Sequence, residues 1–300
     1  MQYVITFNKS YSSVEEFTMR QQMWSASEAK VQNLNSKNGS YKAGHNIFSD
    51  WTDEEYMSMM GLKIVQTNDQ VDLFTGAHNT TGVDWRNSKG VITPIKNQGA
   101  CGSCWAFSAT EAIESAYVIA GNEQVIMAPQ LLVDCDKGFF KNHGCNGGWY
   151  YTAYVYHKDH KTMREADYPY TSGTDGVETE CSEDAAKGVT NVSGYRQVSG
   201  DVESMKAAIE IGPINVAVSA GNDVFRNYIS GIVGAHDNCG THVDHAVVAV
   251  GWGTEDGQDY YIVRNSWGPE WGDAGFIKIA AEEGDEGVCG INGNVYFPII

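Results

Sequence analysis

The residues most able to do chemistry are two cysteines, Cys101 and Cys104, separated by a glycine and a serine. The residues from 104 to 120 are good helix formers and Gly121 follows them, so we expect a helix with Ser103 as its N-cap. A cysteine in the first turn of a helix lies beside unpaired amides and the positive end of the helix dipole. Both favour a thiolate, so the pattern predicts that Cys104 is an ionised nucleophile.

Three kinds of site could use such a pair of cysteines. A zinc site needs a second Cys or His pair at short spacing, but the other five cysteines are scattered singly. A redox dithiol usually lies in a βαβ unit, which this region does not resemble. A catalytic Cys104 beside a structural Cys101 needs a distant histidine and a residue that orients it. We favour the catalytic interpretation.

His245 and Asn265 could complete such a site. His245 lies in an apolar strand pattern, residues 243–250, and a second strand pattern ends just before Asn265. If these strands are antiparallel neighbours, the Asn265 side-chain oxygen accepts from one ring nitrogen of His245, and the other nitrogen faces the sulfur. Trp267 could shield that hydrogen bond from water. The alternative is a hydrogen-bonded core histidine without a catalytic role. The remaining histidines lie in polar or irregular stretches and are expected to be solvated: His45, His78, His143, His157, His160, His236 and His242.

Composition sets limits on the function. The length of 300 residues predicts two domains, and 42% hydrophobic residues suffice for a buried core. A formal charge of −18 argues against a nucleic-acid partner. No run of 18 apolar residues occurs, so we expect no membrane span. The first residues do not resemble a signal peptide, which we expect to be absent from this chain. We expect neither a metal nor a cofactor.

The front of the chain differs from the rest, because all seven cysteines follow residue 100. Ser13 begins a capping-box pattern, and apolar residues at roughly heptad spacing predict an amphipathic helix: Val14, Phe17, Trp24, Val31 and Leu34. Thr52 is expected to cap a second, short acidic helix, and residues 63–80 are predicted to be a linker. These patterns fit a small helical domain of unknown role or a segment that is detached by cleavage in the linker.

The sequence resembles the papain-like cysteine proteases, in particular their cathepsin L-like branch. The motif Cys-Gly-Ser-Cys-Trp at residues 101–105 is followed about 140 residues later by His245 and then by Asn265-Ser-Trp-Gly. The resemblance implies that Cys104 is the nucleophile, His245 the base and later the acid, and Asn265 the residue that orients the imidazole. Gln98 resembles the glutamine that stabilises the oxyanion together with the backbone N–H of Cys104.

The resemblance also implies a fold and a reaction. The fold is α+β with two lobes, a helical lobe with Cys104 and an antiparallel β-barrel lobe with His245 and Asn265. The reaction is peptide-bond hydrolysis through a thioester, by a thiolate–imidazolium pair. The six other cysteines would form three disulfides, Cys101–Cys145, Cys135–Cys181 and Cys239–Cys289, which implies a lysosome-like acidic compartment or secretion. An inactive homologue that binds peptides, or a peptide ligase, would share these features.

The front segment resembles an inhibitory propeptide. Its helix carries the interspersed motif Glu16, Arg20, Trp24, Val31 and Asn35, with Ser27 where an asparagine is usual, and residues 44–50 match a second motif. The resemblance implies a zymogen with propeptide 1–78 and peptidase domain 79–300. The stretch after the second motif would cross the cleft in the direction opposite to substrate. Cleavage is expected near residues 76–80, at acid pH.

The resemblance further indicates how substrates bind. Residues 145–168 leave no room for a loop that blocks the cleft, so we expect an endopeptidase. Gly147 and Gly148 would pair with an extended substrate. The main pocket, expected to accept a hydrophobic side chain two residues before the cut, would be lined by Trp149, Tyr150, Ala217, Val243, Ala246 and Asn294, with Tyr150 narrowing it. Trp267 is also assigned to the substrate-binding site. The expected partners are protein and peptide substrates and the propeptide, with the protein itself a monomer.

Overall fold

The computed structural model describes residues 2–37, 39–65, 71–138, 142–284 and 286–300. Eight α-helices lie in these ranges: α1 (Gln2–Thr6), α2 (Val14–Ser36), α3 (Asp53–Met57), α4 (Cys104–Ile119), α5 (Pro129–Cys135), α6 (Tyr150–Asp159), α7 (Val202–Ile211) and α8 (Asp223–Arg226). In the part of the chain so described, no helix has the length and apolar character needed to cross a membrane.

Ten strands form one sheet: β1 (Tyr41–Ala43), β2 (Leu73–Phe74), β3 (Val83–Asp84), β4 (Gly194–Val198), β5 (Ile214–Val218), β6 (Tyr228–Val233), β7 (His245–Glu255), β8 (Gln258–Arg264), β9 (Phe276–Ala280) and β10 (Val295–Ile299). Their order is β1-β6-β9-β8-β7-β5-β10-β4-β2, and β3 pairs with β7. The front segment supplies both outermost strands, β1 and β2, so it covers both edges of the sheet.

The apolar core has two main parts, one for each lobe. One cluster lies within the sheet and contains Val216, Val263 and Trp271. The other contains Cys104 and Ile113 of α4 with residues of α5 and α6. The predicted separation into a helical lobe and a sheet lobe is therefore confirmed.

The front helices begin where the sequence predicts. The Ser13 side chain accepts a hydrogen bond from the Glu16 amide at the start of α2, and Thr52 forms a complete capping box with Glu55 at the start of α3. The predicted apolar stripe is buried at the C-terminal end of α2, at Val31 and Leu34, and Trp24 in the middle of the helix is half-buried and stacks on His45. Val14 is 76% exposed, so the prediction that the whole stripe lies on an apolar surface is wrong for the first turns.

Three disulfides have the pairing that the resemblance implies. Two tie loops of the helical lobe, Cys101–Cys145 and Cys135–Cys181. The third, Cys239–Cys289, joins two loops of the sheet lobe. Cys104 is the free cysteine.

Candidate active site

Cys104 is the first residue of α4 and has no exposed surface. Ser103 occupies the N-cap position as predicted, but its side chain makes no capping bond, and its Oγ lies 2.8 Å from the Tyr170 hydroxyl instead. The sulfur therefore lies at the N-terminus of a long helix whose first amides are not capped by Ser103.

Two adjacent strands bring the candidate histidine and asparagine together. His245 begins β7, Asn265 follows the last residue of β8, and the two strands are antiparallel neighbours. His245 Nε2 lies 2.8 Å from Asn265 Oδ1, which also accepts a hydrogen bond from the Ser266 amide at 2.8 Å. Since this oxygen only accepts, Nε2 carries a proton and Nδ1 is the basic nitrogen.

Trp267 covers this pair, as predicted. Its ring stacks on His245 with centroids 4.6 Å apart and an interplanar angle of 27°. Trp267 has no exposed surface, because Phe48 and Tyr56 of the front segment lie against it at ring-centroid distances of 5.3 and 5.6 Å. A substrate could therefore touch Trp267 only after the front segment leaves.

Gln98 is held in one orientation. The Ser266 hydroxyl donates to Gln98 Oε1 at 2.7 Å, which leaves the amide nitrogen free to donate elsewhere. Gln98 Nε2 donates to the Met59 carbonyl at 2.9 Å and to the Cys101 carbonyl at 3.0 Å. The donor expected to stabilise an oxyanion is thus occupied by a carbonyl of the front segment.

The front segment crosses the site as an extended strand. Leu62 pairs with Gly148 in parallel orientation. The Gly148 amide donates to the Gly61 carbonyl at 2.8 Å, and the Lys63 amide donates to the Gly148 carbonyl at 2.8 Å. The Leu62 amide donates to the Asp244 carbonyl, beside His245, at 3.0 Å. Of the two glycines predicted to pair with a strand, Gly148 makes these bonds.

The segment also changes what faces the sulfur. Backbone amides of Ala246 and Gly61 hydrogen-bond to Cys104. Within the described ranges, His245 Nδ1 has no hydrogen-bond partner, so the sulfur–imidazole bond is not formed here. A backbone N–H of the front segment therefore faces the sulfur that is expected to be the nucleophile.

Burial makes the candidate pair, Cys104 and His245, neutral in this form. It raises the pKa of Cys104 to about 11, although the amide hydrogen bonds oppose it, and lowers the pKa of His245 to about 4. The expectation of an ionised thiolate is therefore wrong for the covered site. The helix terminus does favour a thiolate, but desolvation by burial outweighs it.

The predicted pocket residues lie together. Trp149, Tyr150, Ala217 and Ala246 belong to one buried apolar cluster, against which Val243 packs, and Leu62 of the front segment is part of the same cluster. The Tyr150 hydroxyl donates to the backbone carbonyl of Asn294 at 2.5 Å, so Tyr150 contacts the remaining residue of the predicted pocket. That Tyr150 narrows the pocket stays a prediction.

Two buried groups are not identified by sequence reasoning. Glu111 on α4 is 2% exposed, and its Oε1 lies 3.1 Å from Arg264 Nη2, next to Asn265. Burial raises the pKa of Glu111 to about 7 despite Arg264 and Lys96. His157, expected to be solvated, is 1% exposed, and burial lowers its pKa to about 4. Glu111 lies on α4 and His157 on α6, and the sequence of a helix alone does not show which of its faces is covered by the other lobe or by a loop.

Comparison with known proteins covers both parts of the chain. A profile of the "Papain family cysteine protease" domain matches residues 80–299, and one of the "Cathepsin propeptide inhibitor domain (I29)" matches residues 1–56. The chain is 42% identical over 274 residues to the "Probable cysteine protease RD21B" of Arabidopsis thaliana, covering 88% of this chain and 57% of that protein. It is 35% identical over 311 residues to chymopapain of Carica papaya, covering 99% of this chain and 84% of that protein. The structure of digestive procathepsin L 3 from the larval midgut of Tenebrio molitor has a TM-score of 0.88 and 32% identity, covering 100% of this chain and 97% of that one.

Proposed function

The chain belongs to the papain family of cysteine proteases, and we propose that Cys104, His245, Asn265 and Gln98 carry out its peptide-bond hydrolysis once the propeptide is removed. It is a cysteine endopeptidase in zymogen form, with its propeptide as an intramolecular inhibitor. The observation that carries the assignment of residues is the hydrogen bond of 2.8 Å between His245 and Asn265, beside Cys104, the free cysteine among the described residues.

The reaction follows from these positions. When the cleft is open to water, the desolvation that keeps the pair neutral is relieved, and the helix terminus favours a thiolate with a His245 imidazolium. The Cys104 sulfur attacks the substrate carbonyl carbon, and Gln98 Nε2 and the Cys104 amide donate to the oxyanion, each contributing roughly 3 kcal/mol. His245 Nδ1 gives its proton to the leaving amine, which leaves a thioester.

Water then completes the cycle. His245 takes a proton from water as the water attacks the thioester carbonyl, and the acid product leaves as the sulfur regains its negative charge. Asn265 holds the imidazole ring with Nδ1 toward the sulfur throughout. Ser266 keeps the Gln98 amide nitrogen toward the oxyanion.

Substrates are proposed to bind antiparallel to Gly148, opposite to the propeptide strand, with Gly147 allowing close approach. A hydrophobic side chain two residues before the cut would replace Leu62 among Tyr150, Ala217 and Ala246. Because Tyr150 narrows the pocket, we expect a preference for Val or Leu over Phe at this position.

Acid pH is the proposed trigger of propeptide removal, with cleavage within residues 76–80. The Arg20 guanidinium holds the pKa of Glu55 below its usual range. A depressed folded-state pKa stabilises the fold above the carboxyl's ordinary pKa, and this stabilisation is lost as pH falls through the lowered value. Arg20 lies on α2 and Glu55 on α3, so acid weakens the contact between these two helices of the propeptide.

We further propose that the processed enzyme is a monomer that works in an acidic, oxidising setting, either a lysosome-like compartment or outside the cell. Three disulfides require oxidising conditions during folding.

The test compares the wild-type chain with Cys104→Ala. Both are incubated at about pH 4.5, the products are identified by mass spectrometry, and turnover of a peptide with Leu two residues before the cut is measured. The wild type should lose residues up to the 76–80 window and hydrolyse the peptide, whereas Cys104→Ala should stay uncut and inactive. Equal turnover in the two proteins would remove the proposal.

A further inference from the structure

The propeptide contacts the enzyme at a second place, far along the chain from the strand that blocks the cleft. Residues 72–76 add the short parallel strand β2 to the sheet edge formed by β4, with Leu73 opposite Gln197 and Phe74 opposite Val198. None of the proposed catalytic residues takes part in these contacts. We call β4 together with its partners Ser199, Ser204 and Phe297 the edge site.

The backbone contacts are those of an added strand. The Gln197 amide donates to the Asp72 carbonyl at 3.1 Å, and the Ser199 amide donates to the Phe74 carbonyl at 2.9 Å. Without β2, β4 would be the outer strand of the sheet, with these two amides unpaired. Such an edge binds extended peptides through the backbone, while side chains give specificity.

Side chains on one face of β2 supply that specificity. The Phe74 ring lies edge-on to Phe297, with centroids 5.8 Å apart and an interplanar angle of 82°. Asp72 Oδ2 lies 2.8 Å from Arg196 Nε. Leu73, on the opposite face of the strand, is 56% exposed and belongs to no apolar cluster of the described residues.

The segment beyond the edge site has separate partners. His78 Nδ1 lies 2.9 Å from the Glu203 carboxylate. The Asn79 and Thr80 amides each donate to the Glu210 carboxylate at 2.9 Å. The contacts of residues 72–76 therefore involve different enzyme residues from the contacts of residues 78–80. A cut between these two groups leaves both sets of contacts intact.

We propose that the edge site stays occupied after processing, by the C-terminal tail of the severed propeptide. The tail acts as a tether: a propeptide whose blocking strand has left the cleft remains held at the edge site and can rebind. Two linked contacts raise the local concentration of the blocking strand, so release is slower than either contact alone allows. This inference rests on the proposed processing within residues 76–80.

The size of the effect follows from the contacts. At about 1 kcal/mol each, two backbone hydrogen bonds should slow release of the severed propeptide about 30-fold, and one edge-on aromatic pair and one exposed ion pair should raise the total to roughly several hundredfold. The aromatic contact and the burial of Phe74 account for about tenfold of this, and the exposed Arg196 pair for about twofold to threefold.

The experiment is designed to be independent of the enzyme's own activity. In the full-length Cys104→Ala chain, the recognition sequence of a site-specific protease is inserted between Ala77 and His78, and the added protease makes the cut. A fluorescent label at the propeptide N-terminus then reports how fast the severed propeptide dissociates on dilution. Phe74→Ala is compared with Leu73→Ala, a matched change on the exposed face of the same strand.

Phe74→Ala should release the propeptide about tenfold faster than the parent, and Leu73→Ala within twofold of it. Arg196→Ala, a change on the enzyme side, should accelerate release of the propeptide twofold to threefold. If Phe74→Ala does not fold, the release rate of Arg196→Ala tests the proposal instead. Equal release rates in the parent and in every folded variant among these would overturn the tether. A failure of the proposed function would appear separately, as lack of turnover by the processed wild type.

Discussion

Gly61 lies closer to the enzyme backbone than a larger residue could. A Cβ atom built on Gly61 would lie 1.8 Å from the Gly102 carbonyl oxygen and 2.3 Å from its carbon. Both atoms belong to the backbone beside Cys101, which a disulfide holds to Cys145, so they cannot rotate away. The φ angle of Gly61 is not in the left-handed region, so alanine is permitted there in the free propeptide. Gly61→Ala should therefore act only on the contact with the cleft.

The magnitude follows from the hydrogen bonds that must stretch. A contact of 1.8 Å has to open by more than 1 Å, which displaces the strand from Gly148 and Asp244. The bonds at risk join Gly148 to Gly61 and to Lys63, and Asp244 to Leu62. At about 1 kcal/mol each, the loss of these three hydrogen bonds weakens the binding of the propeptide strand in the cleft by about 3 kcal/mol, or about 100-fold.

The assay measures how often the cleft of the uncut zymogen opens. At neutral pH, the rate at which an epoxide inhibitor labels Cys104 should be about 100-fold higher in Gly61→Ala than in the wild type. Gly194→Ala is the control, because its nearest neighbour atom lies 3.6 Å away, and its labelling rate should equal that of the wild type. A folded Gly61→Ala zymogen with wild-type labelling would refute the steric argument.

Three further predictions concern the enzyme's chemistry and stability. Ser266→Ala removes the hydrogen bond that orients Gln98, so kcat should fall about tenfold with KM unchanged in steady-state assays, and a change in KM alone would contradict this role. Burial raises the folded-state pKa of Glu111 to about 7, above the ordinary carboxyl value of 4.5, so its ionisation destabilises the fold increasingly as pH rises from 4.5 to 7. The Cys104→Ala chain with and without Glu111→Gln is compared by urea unfolding. The free energy of unfolding of the Glu111→Gln variant should rise by about 3 kcal/mol relative to its parent between pH 4.5 and pH 7. A difference that does not change with pH would contradict the pKa shift. With a thiol pKa of about 11, the uncut zymogen should show iodoacetamide alkylation of Cys104 that still rises above pH 9, whereas the processed enzyme should react at neutral pH with little pH dependence.

Local patterns predict the elements that carry the site. The run of helix formers after Ser103 predicts α4, which extends from Cys104 to Ile119. The two apolar strand patterns predict β7 and β8, and their antiparallel pairing brings Asn265 to His245. These features depend on residues close in sequence or on adjacent strands, so the sequence alone is sufficient.

The burial and the protonation state of a side chain depend on residues that are distant in sequence, so local sequence patterns do not predict them. The neutral state of Cys104 follows from its complete burial among residues distant in sequence, which the helix-terminus argument does not include. The same applies to His157, whose polar neighbours in sequence suggest exposure although it is buried. Val14 shows the reverse, since it belongs to an apolar stripe on α2 that extends beyond the surface it packs on.

The role of Ser266 lies between these cases. It stands between Asn265 and Trp267, within a motif that the sequence analysis names, but its contact with Gln98 joins residues 168 positions apart. Only the assembled lobes reveal that contact, which fixes the orientation of the amide that is expected to bind the oxyanion.

The central claim is that Cys104 is the nucleophile and that the propeptide strand around Gly61 keeps it from reacting. Intact-mass measurement after treatment with an epoxide inhibitor, before and after processing at about pH 4.5, tests it most directly. The predicted result is one adduct per processed chain, mapped to Cys104, after a treatment too short to label the uncut zymogen. Full labelling of the uncut zymogen, or an active processed enzyme labelled at another residue, would contradict it.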